Sequence, residues 1–134
     1  MTPAEAVLAV VDAFDVALRS RDREAAEAVW ALNDPNIVIL GSAPGEVFHG
    51  SRVAGCLHAL TSRPTAHGWR WTDRQVTVEG SVAWLVADAH WQTIALDGVI
   101  TERPYTLTGV LVQGPDGQWL WRMYHGSEPL GTIG

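Results

Sequence analysis

The side chains that could transfer protons in this chain are one glutamate and three histidines in apolar or glycine-rich surroundings. Glu46 and His49 lie in the segment GEVFHG, and His90 and His125 lie in long apolar segments. A buried carboxylate has a raised pKa and can act as a base, and an imidazole titrates near neutral pH. These four residues are therefore the catalytic candidates. Structural roles are the alternative: Glu46 could accept backbone hydrogen bonds that hold its loop, and His90 and His125 could lie on a solvated face or at a dimer interface.

A second group of residues could form the wall of a binding cavity. The chain has seven tryptophans, and this residue is usually buried and is favoured in pockets and interfaces. An aromatic wall with few polar groups suits a flat, apolar ligand, although plain core packing explains any single aromatic residue equally well. Arg122 would need a carboxylate partner if it pointed inward, either in a structural ion pair or on a ligand. The candidates for substrate binding are Phe14, Trp30, Trp91, Tyr105, Arg122 and Tyr124.

Metal, cofactor and nucleophile chemistry have little support in the sequence. The five histidines show no pair at helical spacing, and no glycine-rich loop is followed by the Lys-Ser/Thr of a phosphate-binding motif. The single cysteine, Cys56, excludes an intrachain disulfide and is expected to be a small buried hydrophobe. We therefore expect no metal and no cofactor.

The charge of the chain argues against two classes of partner. The formal net charge is −6, and the nine basic residues, all arginines, form no basic run. Nucleic acids and anionic membranes bind basic stretches, so neither is an expected partner. No apolar run approaches the ~20 residues of a membrane span, and the first helix lacks the basic start and cleavage site of a signal peptide. The prediction is a cytoplasmic protein, and the exclusive use of arginine is typical of a GC-rich bacterial genome.

The order of elements is helix, helix, strand, helix and then a run of strands. The spacing of apolar residues predicts a helix capped by Thr2 that extends to about Ser20, a second from Arg23 to about Leu32, and a third that ends before Pro64. Short strands are predicted at 36–40 and 46–49. An antiparallel meander is predicted from the strands at 69–79, 82–96, 99–113 and 118–128. The length of 134 residues predicts a single domain, 1–134.

Alternation within the strands predicts which side chains face the core. On the strand at 82–96 the odd positions are apolar and are assigned to the core, which leaves His90 on the opposite face. On the last strand Trp121 and Arg122 point to opposite faces, and Tyr124 shares the face of Arg122. A bulge of one residue would reverse these assignments.

Three motifs, in their order and spacing, resemble one superfamily over nearly the whole chain. They are DP-x-I-x-I-x-G at Asp34–Gly41, G-E-x-x-x-G at Gly45–Gly50, and D-G-x-W…H-x-S-E-P at Asp116–Pro129. Together they resemble the SnoaL-like branch of the nuclear transport factor 2-like superfamily. The resemblance implies an α+β fold, in which a cone-shaped, curved antiparallel sheet has three N-terminal helices packed on its concave face.

The resemblance also implies how the protein assembles and what it binds. Members are commonly dimers through the convex face of the sheet, where Trp84 and Trp121 would make the contacts. By similarity with the kinase association domain of this superfamily, the face with Arg122 and Tyr124 should point into the pocket. The implied ligand is a hydrophobic small molecule.

Two functional hypotheses follow, because this fold hosts many activities. The first is binding of a hydrophobic molecule in an aromatic-lined pocket, with acid–base catalysis of the cyclase, isomerase, dehydratase or hydrolase type. The alternative is a non-catalytic ligand-binding or dimerisation module. The resemblance argues against steroid isomerase chemistry, which needs a carboxylate base, a tyrosine and a protonated carboxylic acid. Phe14 stands at the position of the tyrosine, and Gly41 and Ser42 stand at the position of the base. No Asp or Glu lies between Pro104 and Gln113, where the acid is expected.

Overall fold

The computed structural model describes residues 1–130 of the 134-residue chain. The helices of this part are α1 (Pro3–Arg19), α2 (Arg23–Ala28) and α3 (Arg52–Ser62). The first two begin as predicted, because the Thr2 hydroxyl accepts a hydrogen bond from the Glu5 amide, and the Asp22 carboxylate accepts one from the Ala25 amide, each at 3.1 Å. The end of the predicted domain, at residues 131–134, lies outside the described residues.

The described strands form one curved sheet. They are β1 (Val38–Leu40), β2 (Val47–His49), β3 (Ala66–Glu79), β4 (Val82–Ile94), β5 (Ile100–Gln113) and β6 (Trp119–Ser127). Their order across the sheet is β2-β1-β6-β5-β4-β3. Neighbouring strands are antiparallel except β1 and β6, which run parallel. The predicted α+β fold class is confirmed, and the parallel pair is one departure from an all-antiparallel sheet.

The core lies between the helices and one face of the sheet. α1 packs against β3 and β6 and buries Val7, Val11 and Phe14. The odd positions of β4 from Ala83 to Ala89 are buried in this core, as the alternation predicted. None of the helices within residues 1–130 combines the length and the apolar character needed to cross a membrane.

The last strand contains a bulge that decides which way its side chains face. Val110 pairs with Met123 and Leu111 pairs with Trp121, so Arg122 has no partner in this ladder. Trp121 therefore points into the core and is fully buried, although it was predicted on the convex face. Beyond the extra residue Tyr124 also points inward, as predicted. The prediction that Arg122 faces the pocket is wrong, because the bulge shifts the alternation by one position.

Arg122 instead forms a partly exposed ion pair outside the cavity. Its Nε atom lies 3.1 Å from Oδ2 of Asp34, and both side chains are partly exposed. Asp34 belongs to the first of the three motifs, where the chain turns towards β1. Of the two roles considered for Arg122, the structure therefore supports the structural ion pair.

The second helix ends at Ala28, earlier than the predicted end near Leu32. The next residues bind the sheet instead. Trp30 forms a β-bridge with Trp121, the Ala31 amide donates to the Trp121 carbonyl at 2.9 Å, and the Trp121 amide donates to the Val29 carbonyl at 2.8 Å. Hydrogen bonds to β6 thus replace the last helical turn that local periodicity predicted, because tertiary contacts override a weak propensity.

Candidate functional site

A cavity of about 450 Å³ lies between the helices and the covered face of the sheet, and it is partly open to solvent. Its size is in the range of small-molecule pockets. Residues from α1, α3, every described strand and the β1–β2 loop contribute to it. From β2 only the central residue, Phe48, does so. The lining residues are Phe14, Leu18, Ile39, Gly41, Ser42, Ala43, Glu46, Phe48, Cys56, Leu60, Arg63, His67, Trp69, Trp91, Arg103, Tyr105, Tyr124 and Glu128.

Parallel aromatic rings form one wall of the cavity. The Trp91 ring stacks on the His67 ring, with centroids 5.1 Å apart and planes at 12°, and on the Tyr105 ring at 5.5 Å and 26°. Trp69 meets Phe14 with ring centroids 5.5 Å apart. This wall is therefore largely aromatic and offers mainly apolar contacts to a ligand.

A pair of tyrosines supplies hydroxyl groups inside this apolar space. The hydroxyl oxygens of Tyr105 and Tyr124 are 2.7 Å apart, and either can be the donor. One of the two protons forms this hydrogen bond, so the other is free to donate elsewhere. Burial raises the pKa of Tyr105 to about 12, and it raises the pKa of Tyr124 well above its ordinary value of 10. Both phenols are therefore neutral hydrogen-bond donors at physiological pH.

The glycine at position 126 makes room for this pair. A Cβ atom built on Gly126 would overlap the Tyr105 hydroxyl, so only a glycine lets the phenol lie against β6. The position of the Tyr105 oxygen is therefore set by the backbone of the neighbouring strand as well as by its own strand.

His67 is the buried titratable side chain of the cavity that has no protein partner. The residue is 8% exposed, and neither ring nitrogen accepts or donates a hydrogen bond within residues 1–130. Burial lowers the pKa of His67 below 6.5 and the charge of Arg63 lowers it further, while the nearby Gln92 backbone, which does not reach hydrogen-bond geometry, partly opposes the shift. The neutral imidazole has one donor and one acceptor nitrogen. Buried polar groups are rarely left unpaired. Both nitrogens are closed off from the open space of the cavity, so a bound molecule reaches them only when the His67 ring turns away from its stack on Trp91.

Charged groups surround the mouth of the cavity. The Nη2 atom of Arg103 lies 3.3 Å from Oε1 of Glu128, and the Ser42 hydroxyl donates to the same oxygen at 3.4 Å. The carboxylate of Glu46 accepts a hydrogen bond from the Ala43 amide at 2.8 Å. Glu46 therefore lines the cavity and also holds the β1–β2 loop, which was the structural role considered for it.

Cys56 lies on the α3 side of the cavity as a protonated thiol. Burial raises its pKa from 9.0 to about 11, and the negative charge of Glu46 contributes to the shift. The thiolate is the nucleophilic form of cysteine, so this side chain is a poor nucleophile. The described residues contain no group of three or more His, Cys, Asp or Glu side chains that could hold a metal ion.

The structure brings half of the sequence-derived candidates to the cavity. Its lining includes Phe14, Glu46, Trp91, Tyr105 and Tyr124. The roles assigned to these residues stay predictions, since their placement alone tests none of them.

The other candidates lie outside the cavity. His90 and His125 point to the uncovered face of the sheet, and His49 is exposed on β2, where Phe48 takes the inward position. Trp30 is a core residue that stacks on Trp121, with ring centroids 5.9 Å apart, and Arg122 pairs with Asp34. In these positions none of the five can reach a ligand in the cavity.

Sequence reasoning missed His67 and Trp69 as site residues. β3 begins at Ala66, whereas the sequence predicted a start at residue 69. The predicted start was late because Pro64 and Gly68 are typical of turns and not of strands. Extending the alternation back from Trp71 would have found the signal, since His67, Trp69 and Trp71 share one parity. Arg63 and Arg103 were missed because their positions depend on how α3 and β5 meet in space.

Comparisons with known proteins agree with this architecture. A family model described as a SnoaL-like domain matches residues 7–131. A nuclear transport factor 2-like protein from Streptomyces avermitilis, proposed to be a dehydratase, superimposes with a TM-score of 0.78 at 22% identity, covering 95% of this chain and 97% of that chain. A nuclear transport factor 2-like superfamily protein from Salmonella enterica serovar Typhimurium has a TM-score of 0.81 at 15% identity, with 97% and 93% covered.

A third similar structure, from Catenulispora acidiphila, was solved in complex with S-DNPA. Its TM-score is 0.74 at 19% identity, with 92% of this chain and 91% of that chain covered. No curated protein matches the chain. At these identities the solved structures establish the fold, and the family model establishes the family.

Proposed function

The chain belongs to the SnoaL-like domain family, and from that premise we propose that it binds a flat, apolar small molecule with a carbonyl group and catalyses proton transfer at that molecule. The observation on which the proposal rests is that one apolar cavity contains both a hydrogen-bond donor and a proton acceptor. The tyrosine pair offers a free hydroxyl proton, and the neutral His67 offers an unpaired nitrogen that its ring must turn to present to the ligand.

The size and lining of the cavity support the binding step. A volume of about 450 Å³ accommodates a small polycyclic molecule, and stacked rings cover one wall. The few polar groups lie within an otherwise apolar surface, and such groups orient a ligand while apolar contacts supply most of the affinity. A carbonyl oxygen directed at Tyr105 would accept the free hydroxyl proton.

The chemistry of these groups supports the proton transfer. A hydroxyl that donates to a carbonyl stabilises the negative charge that develops on oxygen when an adjacent C–H bond breaks. His67 would accept that proton at a ring nitrogen and return it to another carbon, so the reaction class is enolisation or isomerisation and needs no cofactor. Because its pKa is lowered, His67 is neutral at physiological pH, so its basic form is present without a prior loss of a proton, although its affinity for the transferred proton is reduced.

The binding step is tested with prodan, a naphthalene ketone whose emission responds to polarity and hydrogen bonding. We expect saturable binding, with quenching of tryptophan fluorescence because Trp69 and Trp91 line the cavity. Tyr105→Phe should weaken prodan binding roughly two- to tenfold by removing one hydrogen bond. His125→Gln, on the uncovered face, is the control. Absence of prodan binding would refute the proposed function.

The catalytic step is tested by the loss of deuterium from α-deuterated β-tetralone, followed by nuclear magnetic resonance. Wild-type protein should accelerate the exchange, His67→Gln should abolish the acceleration, and His125→Gln should leave it unchanged. Equal rates for the two variants would contradict the role of His67. Prodan binding without any exchange would leave the non-catalytic binding module as the function.

A second candidate function, dimerisation through the uncovered face, is favoured by a row of exposed apolar side chains. Val82 and Trp84 are each 39% exposed, and Val86 is 51% exposed. Such a patch is typical of an interaction surface, and a second copy of this chain is the partner proposed. Trp121 takes no part, because it is buried in the core.

Sedimentation velocity tests this interface. Wild-type protein should sediment as a dimer, and Trp84→Glu should dissociate it by burying a charge in the apolar patch. Gln118→Glu, in an exposed turn, should stay dimeric. A monomeric wild type, or a dimeric Trp84→Glu variant, would exclude this interface.

A further inference from the structure

A groove of about 290 Å³ continues outward from the cavity along α3. Its lining residues are Glu46, Phe48, Arg52, Gly55, Cys56, Ala59, Leu60 and Arg63. Glu46, Phe48, Cys56, Leu60 and Arg63 also line the cavity, so the two spaces form one continuous surface. The α3 positions recur at helical spacing, which makes the groove one side of a single helix.

Two arginines without ion-pair partners mark the two ends of this α3 groove. Within residues 1–130, the arginines at 19, 23, 70, 74, 103 and 122 each pair with a carboxylate. Arg21, Arg52 and Arg63 have no such partner in the same range, and of these three only Arg52 and Arg63 line the groove. In a chain of net charge −6, two unpaired cations beside one cavity make its entrance locally attractive to an anion.

The other charged group of the groove does not neutralise both arginines. Glu46 is held towards the β1–β2 loop by its hydrogen bond from the Ala43 amide. Arg52 is placed over the Phe48 ring, with its Cζ atom 5.7 Å from the ring centroid, and both residues line the groove. The groove therefore has a net positive charge above an apolar floor.

Gly55 keeps the floor of the α3 groove open. It lies in the interior of a helix, where glycine costs about 1 kcal/mol relative to alanine. A Cβ atom at this position would meet nothing within 4 Å, so no packing constraint requires the glycine. What the missing side chain does provide is free space between Arg52 and Arg63.

We infer that the ligand is an amphipathic anion whose apolar body fills the cavity and whose carboxylate or sulfonate group lies in the α3 groove. This inference rests on the proposed function, because it describes a second part of the same ligand. Arg63 is the first cation that an anionic group meets, since it lines both spaces. Arg52 is eleven positions away, about 16 Å along the helix axis, so it contacts only ligands with a long anionic arm.

The test compares two probes that differ by one charged group: anilinonaphthalene sulfonate and the neutral N-phenylnaphthylamine. We expect the sulfonate to bind more tightly, and prodan to displace both probes because all three use the cavity. Arg63→Gln should weaken binding of the sulfonate roughly tenfold more than binding of the neutral probe, because only the sulfonate loses a charge-assisted hydrogen bond. Arg52→Gln should have a smaller effect on the sulfonate.

Two further variants separate the groove from general effects. Gly55→Leu fills the groove while improving helix propensity, so it should weaken the sulfonate selectively in a protein that remains folded by circular dichroism. Arg21→Gln removes an exposed arginine outside both spaces and should change neither affinity.

The outcomes distinguish this inference from the proposed function. If both probes bind equally and Arg63→Gln changes neither affinity, the anionic subsite is wrong while the apolar cavity stands. Equal weakening of both probes by Arg63→Gln would also overturn the subsite, because it would indicate a change in the cavity itself. If neither probe nor prodan binds, the proposed function fails and the inference fails with it.

Discussion

The aromatic cluster under the helices has two ends. Both are built mainly from aromatic residues, but one is filled and the other leaves a cavity. The closed end contains Trp30 and Trp121, whose rings stack at 21° and leave no cavity between them. The open end contains His67, Trp91, Tyr105 and Tyr124, which line the cavity. Phe14 lies at the boundary, with its ring centroid 5.8 Å from that of Trp121 and 6.4 Å from that of Tyr124. Aromatic content alone therefore does not distinguish a core from a binding site.

What covers each end makes the difference. At the closed end, the segment after α2 forms backbone hydrogen bonds with Trp121 and brings Trp30 directly onto its ring. At the open end, the cover consists of α3 and the β1–β2 loop, and the residues with which they line the cavity include the small Gly41, Ala43 and Cys56. Small side chains opposite large rings leave space, and close backbone pairing removes it.

The largest expected effect comes from truncating one tryptophan at each end. Trp121→Ala removes a fully buried ring and should lower the free energy of unfolding by about 3–5 kcal/mol. Trp91→Ala should cost less, about 1–2 kcal/mol, because the ring is only partly buried and its loss enlarges an existing cavity. Urea denaturation measures both values. Equal losses of unfolding free energy in the two variants would contradict the distinction between the two ends.

Glycines on the sheet give a second comparison, because each makes room for one aromatic side chain. A Cβ atom at Gly109 would overlap the Trp121 ring, and one at Gly126 would overlap the Tyr105 hydroxyl. Gly109→Ala should cost about 1–3 kcal/mol, since the enclosed ring has nowhere to move. Gly126→Ala should cost about 1 kcal/mol, the loss of one hydrogen bond, because Tyr105 can turn into the cavity.

Prodan binding separates these two glycine variants independently of stability. Gly126→Ala should weaken binding more than Tyr105→Phe does, because the displaced Tyr105 ring occupies the cavity in addition to losing its place as the donor, whereas Gly109→Ala should retain wild-type affinity while folded. The reverse pattern would mean that the open end is not the binding site.

A smaller effect is expected in the helix that covers the open end. Gly55→Ala should raise the free energy of unfolding by about 0.5–1 kcal/mol, because the residue is helical and its surroundings are open. Gly45 is the matched control: it also has open surroundings, but its φ is +79°, so alanine there should destabilise the protein. Thermal unfolding of both variants measures the difference, and destabilisation by Gly55→Ala would contradict this account of α3.

The pH dependence of stability tests the burial of His67. Its pKa in the folded protein lies below the value of 6.5 for an exposed imidazole. The associated stability is therefore present above pH 6.5 and is lost as the pH falls through the folded pKa, because the unfolded chain binds the proton more readily. His67→Gln should lose less stability over this range than wild type or His125→Gln. Parallel pH profiles for all three proteins would show that His67 titrates as an exposed group.

Local chemistry was enough to predict much of the fold from the sequence. The Thr2 and Asp22 caps, the helical spacing in α1 and the strict alternation on β4 each depend on neighbours close in sequence. The turns after β3 and β5 gave the order of the meander for the same reason. Element types and most boundaries were therefore predictable.

The candidate site was only partly predictable, because it combines side chains from almost every element. Phe14, Glu46, Trp91, Tyr105 and Tyr124 were selected by residue type and do line the cavity. His67 was not selected, because the first residues of β3 contain a glycine and follow a proline. The choice between wall and core for each aromatic residue needed the position of the covering helix.

The sequence by itself determined the element types, the core face of β4 and the membership of the chain in its family. Only the tertiary structure decided that Trp121 is core, that Arg122 pairs with Asp34, and that the unpaired His67 faces a cavity beside two phenols. The physical reason is the range of the interactions. Caps, turns and alternation are set by residues a few positions apart, whereas the bulge at Arg122 is set by pairing between distant strands, and one shifted residue reverses which side chains reach the site.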